Sequence, residues 1–281
     1  MSNDDINKNN RRNPIKRHTD PYNIRQSDED DISDDNEQII EGRNAVIEAF
    51  RAGITIDKVY IVKGDTDKTL RHIASVAREN GTPVSETDKR KLDYMSRTKA
   101  HQGVVAQVAP IKYSTINEIL EIADKRNETP LIVVCDGIED PHNLGAIIRS
   151  SEAAGVHGII IPKRRSSGLT ATVVKASAGA VFHMAIAKVS NITQTIKELQ
   201  NSGIWIFGTS DDGQIEMWQS DMTGPAAIII GSEGSGISRL VRESCDFIIK
   251  IPMHGKISSL NASVSTAIMI YEAVRQRKLK A

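Results

Sequence analysis

Three polar, glycine-containing loops in the second half of the chain hold the residue types that could do chemistry: residues 136–149, 231–236 and 253–261. Each loop follows an apolar run whose length and composition predict a buried strand. Runs without polar alternation are typical of parallel sheets that helices cover on both faces. Because such sheets bind ligands at the carboxyl ends of their strands, we expect these loops to form a site.

The first loop, DGIEDPHNLGAIIR, runs into a predicted helix. We expect Asn143 to cap this helix and Gly145 to permit a close backbone approach, while Arg149 lies on the first two turns. A lone helical arginine is ordinarily a surface group whose salt bridge contributes about 0–1 kcal/mol. Taken singly, this loop leaves a structural and a functional interpretation of Arg149 open.

The other two loops do not fit the common nucleotide-binding motifs. The glycines of GSEGSG, at 231–236, follow a late strand in the order G-x-x-G-x-G, and Ile251 stands where a dinucleotide site needs an acidic residue. In the third loop, MHGKISSLN, the Gly-Lys pair is followed by Ile257 where a phosphate loop needs serine or threonine. What remains is a polar turn, with Asn261 as the predicted cap of a long final helix.

Together, the segments NLGAIIRSSEAAG, IIIGSEGSGIS and IPMHGKISSLNASVSTAIMIYEA resemble, in this order, the three motifs of the SpoU/TrmH family of RNA 2′-O-methyltransferases, part of the SPOUT superfamily. The resemblance spans Leu131–Arg277, about half of the chain. Residues 40–110, with EGRNAVIEAF and HQGVVA, resemble the family's ribosomal-protein-like substrate-binding domain. This layout is most similar to members that methylate a guanosine ribose in 23S ribosomal RNA.

The resemblance implies an α/β fold in which a knotted (trefoil) parallel-sheet methyltransferase domain follows a small α/β domain. It also implies S-adenosylmethionine as cofactor, ribosomal RNA as partner, and a homodimer with the site near its interface. The residues that it implies for cofactor binding are Thr209, Gly231, Ile251 and Leu260. The residues that it implies for catalysis are Asn143, Arg149, Glu233, Ser259 and Asn261.

Methyl transfer to a ribose hydroxyl needs aligned reactants and the removal of a weakly acidic proton. A guanidinium is a poor base, so we expect Arg149 to bind the phosphate beside the target ribose and to stabilise the developing alkoxide. We expect Glu233 to orient Arg149. Asn143, Ser259 and Asn261 would position the substrate and the catalytic loop.

Changes in composition divide the chain into four predicted segments. Residues 1–37 hold ten acidic and six basic side chains and few large apolar ones, which predicts a disordered charged tail. Residues 38–110 form the predicted RNA substrate-binding domain, and residues 111–130 a linker helix. Residues 131–281, which alternate strands and helices, form the predicted methyltransferase domain.

The composition, 39% apolar and 26% charged, is that of an ordinary globular protein. No apolar run reaches the roughly 18 residues that span a bilayer, and the polar N-terminus has no signal-peptide pattern. Cys135 and Cys245 lie far apart in apolar stretches, which predicts core thiols and neither a disulfide nor a metal site. We therefore expect a cytoplasmic protein that binds no metal and no membrane.

Two other functions stay open at this point. A tRNA 2′-O-methyltransferase of the same family would share the chemistry and differ in its substrate. A non-catalytic RNA-binding protein would keep the fold, but the presence of Arg149, Glu233 and Asn261 argues against it. The sequence thus leaves the choice between ribosomal and transfer RNA undecided.

Overall fold

The computed structural model of the protein describes residues 38–280, so the tail predicted for residues 1–37 lies outside the described residues. The strands are β1 (Gln38–Glu41), β2 (Ile56–Val62), β3 (Val84–Thr87), β4 (Val104–Val108), β5 (Leu131–Asp136), β6 (Gly158–Pro162), β7 (Ile186–Val189), β8 (Trp205–Thr209), β9 (Ile215–Glu216), β10 (Ala226–Gly231) and β11 (Phe247–Lys250). The helices are α1 (Arg43–Arg51), α2 (Lys68–Glu79), α3 (Lys89–Met95), α4 (Ile116–Arg126), α5 (Pro141–Ala153), α6 (Ala171–Ala176), α7 (Ile192–Asn201), α8 (Arg239–Glu243) and α9 (Ala262–Lys280).

The first four strands form a sheet in the order β1-β4-β2-β3, with β2 and β3 parallel and the other pairs antiparallel. Successive residues of a strand point to opposite faces. Val59 of β2 therefore joins the core under α1 and α2, while its neighbour Tyr60 packs with Val105 and with Leu92 of α3. Helices thus cover both faces of this small α/β unit.

The remaining seven strands form one parallel sheet in the order β7-β6-β5-β10-β8-β11-β9. The inner strand β5 is apolar up to its last residue, Asp136, because both of its faces are buried: Val133 packs on one side of the sheet and Ile132 and Val134 on the other. This confirms the predicted α/β class and parallel sheet. The trefoil knot stays a prediction.

Helix α5 begins earlier than the sequence suggested. Asp140 caps it by accepting a hydrogen bond from His142 N at 2.9 Å, and Pro141 occupies the first position, where a missing N–H costs nothing. The predicted role of Asn143 as the cap is therefore wrong, and its side chain is available for the site. The predicted cap of α9 is confirmed, since Asn261 Oδ1 accepts a hydrogen bond from Ser263 N at 2.9 Å.

Gly145 permits a close approach, and the element that approaches is helix α6. A Cβ at Gly145 would lie 2.4 Å from the Cβ of Ala176, so the two helices pack with almost no space between their backbones. Helix α6 in turn contacts β1 of the first sheet, and Lys175 Nζ donates to Thr98 Oγ1 at 2.6 Å and to the Ala100 carbonyl at 3.0 Å in the segment that leads into β4. This packing fixes α5 relative to the first sheet.

Residues 38–280 pack together, and the largest apolar cluster includes side chains from both sheets. His183 Nε2 lies 3.1 Å from Glu48 Oε2 across the same junction. The predicted domain boundaries at 110 and 131 remain predictions. Within the described residues, no helix is long and apolar enough to cross a membrane.

The short outer elements differ from the sequence prediction. Strand β1 was not expected, and β9 is only two residues long, so neither produces a readable pattern. The apolar run at residues 183–189 predicts a strand, but β7 begins only at Ile186, because residues 180–182 form a 3-10 turn that follows Gly179. These differences lie away from the predicted site loops.

Candidate active site

The three loops singled out from the sequence follow β5, β10 and β11 at the carboxyl edge of the parallel sheet. Strands β5 and β10 are direct neighbours, and β8 separates β10 from β11. The backbone of the loop after β10 packs closely on itself, since a Cβ at Gly231 would lie 2.0 Å from the backbone carbon of Gly236. The fold therefore brings the three loops together, as their positions after strands predicted.

One carboxylate joins the three loops. Glu233 Oε1 accepts hydrogen bonds from Asn143 Nδ2, at 3.0 Å, and from Asn261 Nδ2. Asn261 Nδ2 also lies 2.9 Å from Asn143 Oδ1. Because Asn261 Oδ1 caps α9, the amide NH₂ of Asn261 is directed to the other two side chains. We call Asn143, Glu233 and Asn261 the amide–carboxylate cluster.

A cavity of about 520 Å³ adjoins this cluster, and we call it the Leu260 cavity. Its wall includes all four residues for which the sequence implied cofactor binding: Thr209, Gly231, Ile251 and Leu260. Glu233 and Ser259 line it as well. Thr209 Oγ1 donates to the Ile229 carbonyl at 2.9 Å, so its hydroxyl hydrogen is already engaged. Most of the remaining wall is polar, and it includes the carboxylate of Asp211 and the guanidinium of Arg242, which pairs with Asp212 at 2.8 Å.

A second cavity, of about 450 Å³, lies against the first. We call it the Arg165 cavity. The two share Ser232, Glu233, Ser235 and Gly236 in their walls, so the second loop separates them. Asn143, Glu139 and Arg165 line the Arg165 cavity only. The sequence interpretation missed Glu139 and Arg165, although Arg165 follows β6 at the same edge of the sheet and the same argument applied to it.

Arg149 lies apart from the cluster within a single chain. It follows Asn143 by six residues on α5, which turns its side chain by about 240° around the helix axis. Its side chain is exposed, lines neither cavity, and makes no hydrogen bond or ion pair to the described residues. Glu233 binds the two asparagines, so the expected orientation of Arg149 by Glu233 does not occur within one chain. The alternative of a surface salt bridge is not observed either.

The largest of the three cavities, about 750 Å³, lies at the opposite edge of the sheet and contains none of the predicted site residues. Burial lowers the pKa of its Arg277, which nonetheless donates to the carbonyls of Thr129, Pro130, Met222 and Gly224. A guanidinium engaged in this way supports the backbone and has little capacity left for a ligand. We therefore place the site at the carboxyl edge.

The described residues contain no group of three or more His, Cys, Asp and Glu side chains arranged to hold a metal ion. Burial raises the pKa of the Cys135 thiol to about 12, and that of Cys245 to about the same value, because the thiolate is poorly solvated there. Both thiols are therefore protonated near neutral pH and unsuited to nucleophilic chemistry. The chemistry of the site rests on amides, carboxylates and guanidinium groups.

Comparison with known proteins places this geometry in a family. A sequence profile described as the SpoU rRNA Methylase family matches residues 130–271, and one described as RNA 2′-O ribose methyltransferase substrate binding matches residues 39–114. YacO of Bacillus subtilis, described as a TrmH family tRNA/rRNA methyltransferase, is 43% identical over 84% of this chain and 94% of its own. A protein of the same description from Staphylococcus haemolyticus is 44% identical over 85% of this chain and 96% of its own.

Solved structures that resemble this chain support the same family. The SpoU methyltransferase AviRb from Streptomyces viridochromogenes, crystallised with its cofactor AdoMet, has a TM-score of 0.72 at 27% identity and covers 87% of this chain and 92% of its own. An AdoMet-bound rRNA methyltransferase from Sinorhizobium meliloti has a TM-score of 0.69 at 25% identity, covering 85% and 87%. With both profiles matched in order and the three motif loops meeting at one sheet edge, this chain belongs to the SpoU/TrmH family of RNA methyltransferases.

Proposed function

We propose that the protein transfers a methyl group from S-adenosylmethionine to the ribose 2′-hydroxyl of a guanosine in 23S ribosomal RNA, in the cytoplasm. The observation that carries this proposal is the amide–carboxylate cluster, which sits between two adjoining cavities. A two-substrate transfer needs such an arrangement, because donor and acceptor must meet at one point. The non-catalytic alternative gives no reason for the cluster.

The Leu260 cavity suits the cofactor. Its volume of about 520 Å³ falls within the range of small-molecule sites. Ile251 and Leu260 provide apolar surface in a wall whose other residues are mostly polar. Asp211 offers a carboxylate to the ammonium of an amino-acid end. Arg242 donates from Nη1 to Ser210 Oγ and Asp212 Oδ1, and its remaining N–H groups would bind the carboxylate of that end. When bound, S-adenosylmethionine supplies an electrophilic methyl. AviRb and the Sinorhizobium enzyme, both crystallised with AdoMet, support the same cofactor here.

The cluster positions the reacting hydroxyl. Glu233 Oε1 is occupied by the two asparagine amides, whereas Oε2 makes no hydrogen bond to the described residues. We propose that Oε2 receives a group that the single chain does not provide: the guanidinium of Arg149 from a second copy. That guanidinium would bind the phosphate beside the target ribose and stabilise the alkoxide as it forms.

A homodimer provides this second copy. On α9, Val264 and Tyr271 are 46% and 51% exposed and lie two turns apart on one face, with Ile268 between them. Helix α9 packs against α5, which carries the unpaired Arg149. An exposed apolar stripe beside an unpaired cation favours an interface that buries the first and pairs the second. The site is thus proposed to be completed at the dimer interface.

Transfer RNA remains the second candidate substrate, and the observation that favours it is the name of the Bacillus subtilis relative, which mentions both RNA classes. The sequence match of residues 39–114 to an RNA 2′-O ribose methyltransferase substrate-binding profile fits either one. Methylation of either RNA would use the same chemistry, so an experiment has to decide between the two substrates.

Our first prediction concerns the substrate. Purified protein with labelled S-adenosylmethionine should methylate unmodified 23S ribosomal RNA at one guanosine and leave a transfer RNA pool unlabelled. Ribose methylation mapping identifies the nucleotide, and a Glu233→Ala variant serves as the inactive control. Label in transfer RNA alone would replace the ribosomal assignment, and label in neither RNA would refute the proposed activity.

A second prediction concerns the cofactor cavity. Gly231→Ala should lower S-adenosylmethionine affinity at least about tenfold in calorimetry, because a Cβ placed 2.0 Å from the Gly236 backbone forces the loop to move. Gly234→Ala is the matched control, since a Cβ there meets no atom within 4 Å. If both variants fold and bind like the wild type, the cofactor lies elsewhere.

A third prediction tests the shared site. Arg149→Ala homodimers should be slower by about 100- to 1,000-fold, the usual cost of one lost preorganised donor, and Glu233→Ala homodimers by a similar factor, because Arg149 then loses the carboxylate that orients it. Unfolding and refolding the two together should restore about a quarter of the wild-type rate, since half of randomly mixed dimers are mixed and each holds one intact site. Absence of restoration in verified mixed dimers would place Arg149 in its own chain's site.

A further inference from the structure

Among the charged residues that line the Arg165 cavity, Glu139 and Arg165 are the two whose side chains make no hydrogen bond or ion pair to the described residues. Asp136 Oδ2 accepts from Ser238 N at 2.7 Å, Asp140 Oδ1 accepts from His142 N at 2.9 Å, and Glu233 is held by the two asparagines. Glu139 and Arg165 are exposed and make no hydrogen bond or ion pair to the described residues. These two side chains are therefore available to a ligand.

The two loops that carry these side chains are joined. Glu139 lies in the loop after β5 and Arg165 in the loop after β6, and these strands are parallel neighbours. Ser167 N donates to the Ile138 carbonyl at 3.0 Å, which ties one loop to the other. Glu139 and Arg165 thus face one cavity from two connected supports, and the cavity ends at Asn143 and Glu233 of the cluster.

We propose that the Arg165 cavity binds the base of the target nucleotide and selects guanine. This inference rests on the proposed function, because it takes the ribose of that nucleotide to lie at the amide–carboxylate cluster. A carboxylate accepts hydrogen bonds from guanine N1–H and the 2-amino group, and a guanidinium donates to O6 and N7. Glu139 and Arg165 supply that acceptor and that donor.

The other bases match the pair less well. Adenine presents an unprotonated N1, which a carboxylate repels, and a 6-amino group, which a guanidinium cannot bind. Cytosine presents a similar mismatch, and uracil offers a single N–H. Inosine is the informative probe, because it keeps N1–H, O6 and N7 and lacks only the 2-amino group. A site built around guanine rejects a base that leaves its buried or directed polar groups unpaired.

The test uses the full-length protein and short RNAs that differ only at the target position, which carries guanosine, inosine or adenosine. For the wild type, we expect kcat/KM to fall about 10- to 100-fold from guanosine to inosine and further for adenosine, the usual discrimination of a good bidentate contact. Glu139→Gln should lower the rate on guanosine and bring the guanosine-to-inosine ratio close to one. A purely structural role for Glu139 would slow both substrates equally.

Arg165→Ala should slow guanosine and inosine to a similar extent, because both present O6 and N7. The matched controls are Glu152→Gln and Arg164→Ala, exposed residues that line neither cavity and should change nothing. Cofactor affinity, measured by calorimetry, should be the same in all variants.

The outcomes separate this proposal from the proposed function. If no RNA is methylated by the wild type, the function itself fails. If guanosine is methylated and the guanosine-to-inosine ratio of Glu139→Gln equals that of the wild type, the function stands and the base assignment is overturned. Methylation of adenosine at the rate of guanosine would overturn it too.

Discussion

The Glu233 carboxylate accepts hydrogen bonds from Asn143 and Asn261, and this shared acceptor holds together three segments that lie far apart in the sequence. Asn143 sits on α5, Glu233 follows β10, and Asn261 begins α9. Glu233 and Asn261 are exposed and Asn143 is half-buried in the single chain, so their bonds add little to the free energy of folding. Their effect is geometric: they fix the boundary between the two cavities where a transfer would occur.

The position of this boundary depends on dense packing behind it. Gly145 lets α6 lie directly against α5, α6 contacts β1 of the first sheet, and Lys175 bonds the segment that leads into β4. A Cβ at Gly179 would lie 2.5 Å from the Cβ of Glu48 in α1. The segment after α6 therefore packs directly against a helix that covers the first sheet. An RNA held by the first sheet would therefore be held at a defined distance from α5.

The sequence predicted most of the parallel sheet and the loops of the site, because buried strands and their order leave a strong pattern. Strand β5 is apolar up to Asp136, and the loops of the site must follow strand ends. Residue patterns alone did not predict which side chains those loops direct into the site; the family resemblance named Asn143, Glu233 and Asn261. Asn143 was interpreted as a cap because a cap and a cluster residue look alike in sequence, and only Pro141 hinted at the earlier helix start.

Arg149 and Arg165 show that sequence patterns also do not reveal which arginine lies at a cavity. Arg149 lies within helix α5 and Arg165 in the loop after β6, and only Arg165 lines a cavity. The difference follows from helix phase and from which strands are neighbours in the sheet. The local spacing of residues predicts neither helix phase nor strand order. A residue that acts from a second copy produces no local sequence pattern. Motif resemblance found Arg149, whereas cavity geometry found Arg165.

The claim that the cluster acts as one unit is tested most directly by a double-mutant cycle on Asn143 and Glu233. The measurement is single-turnover methylation at saturating cofactor and RNA for Asn143→Ala, Glu233→Ala and the double variant, with folding and cofactor affinity checked separately. We predict that each single variant is slower by about 100-fold and that the double variant is within a few-fold of the slower single one, as for residues that act together. Losses that multiply in the double variant, or a single variant close to the wild-type rate, would contradict the account.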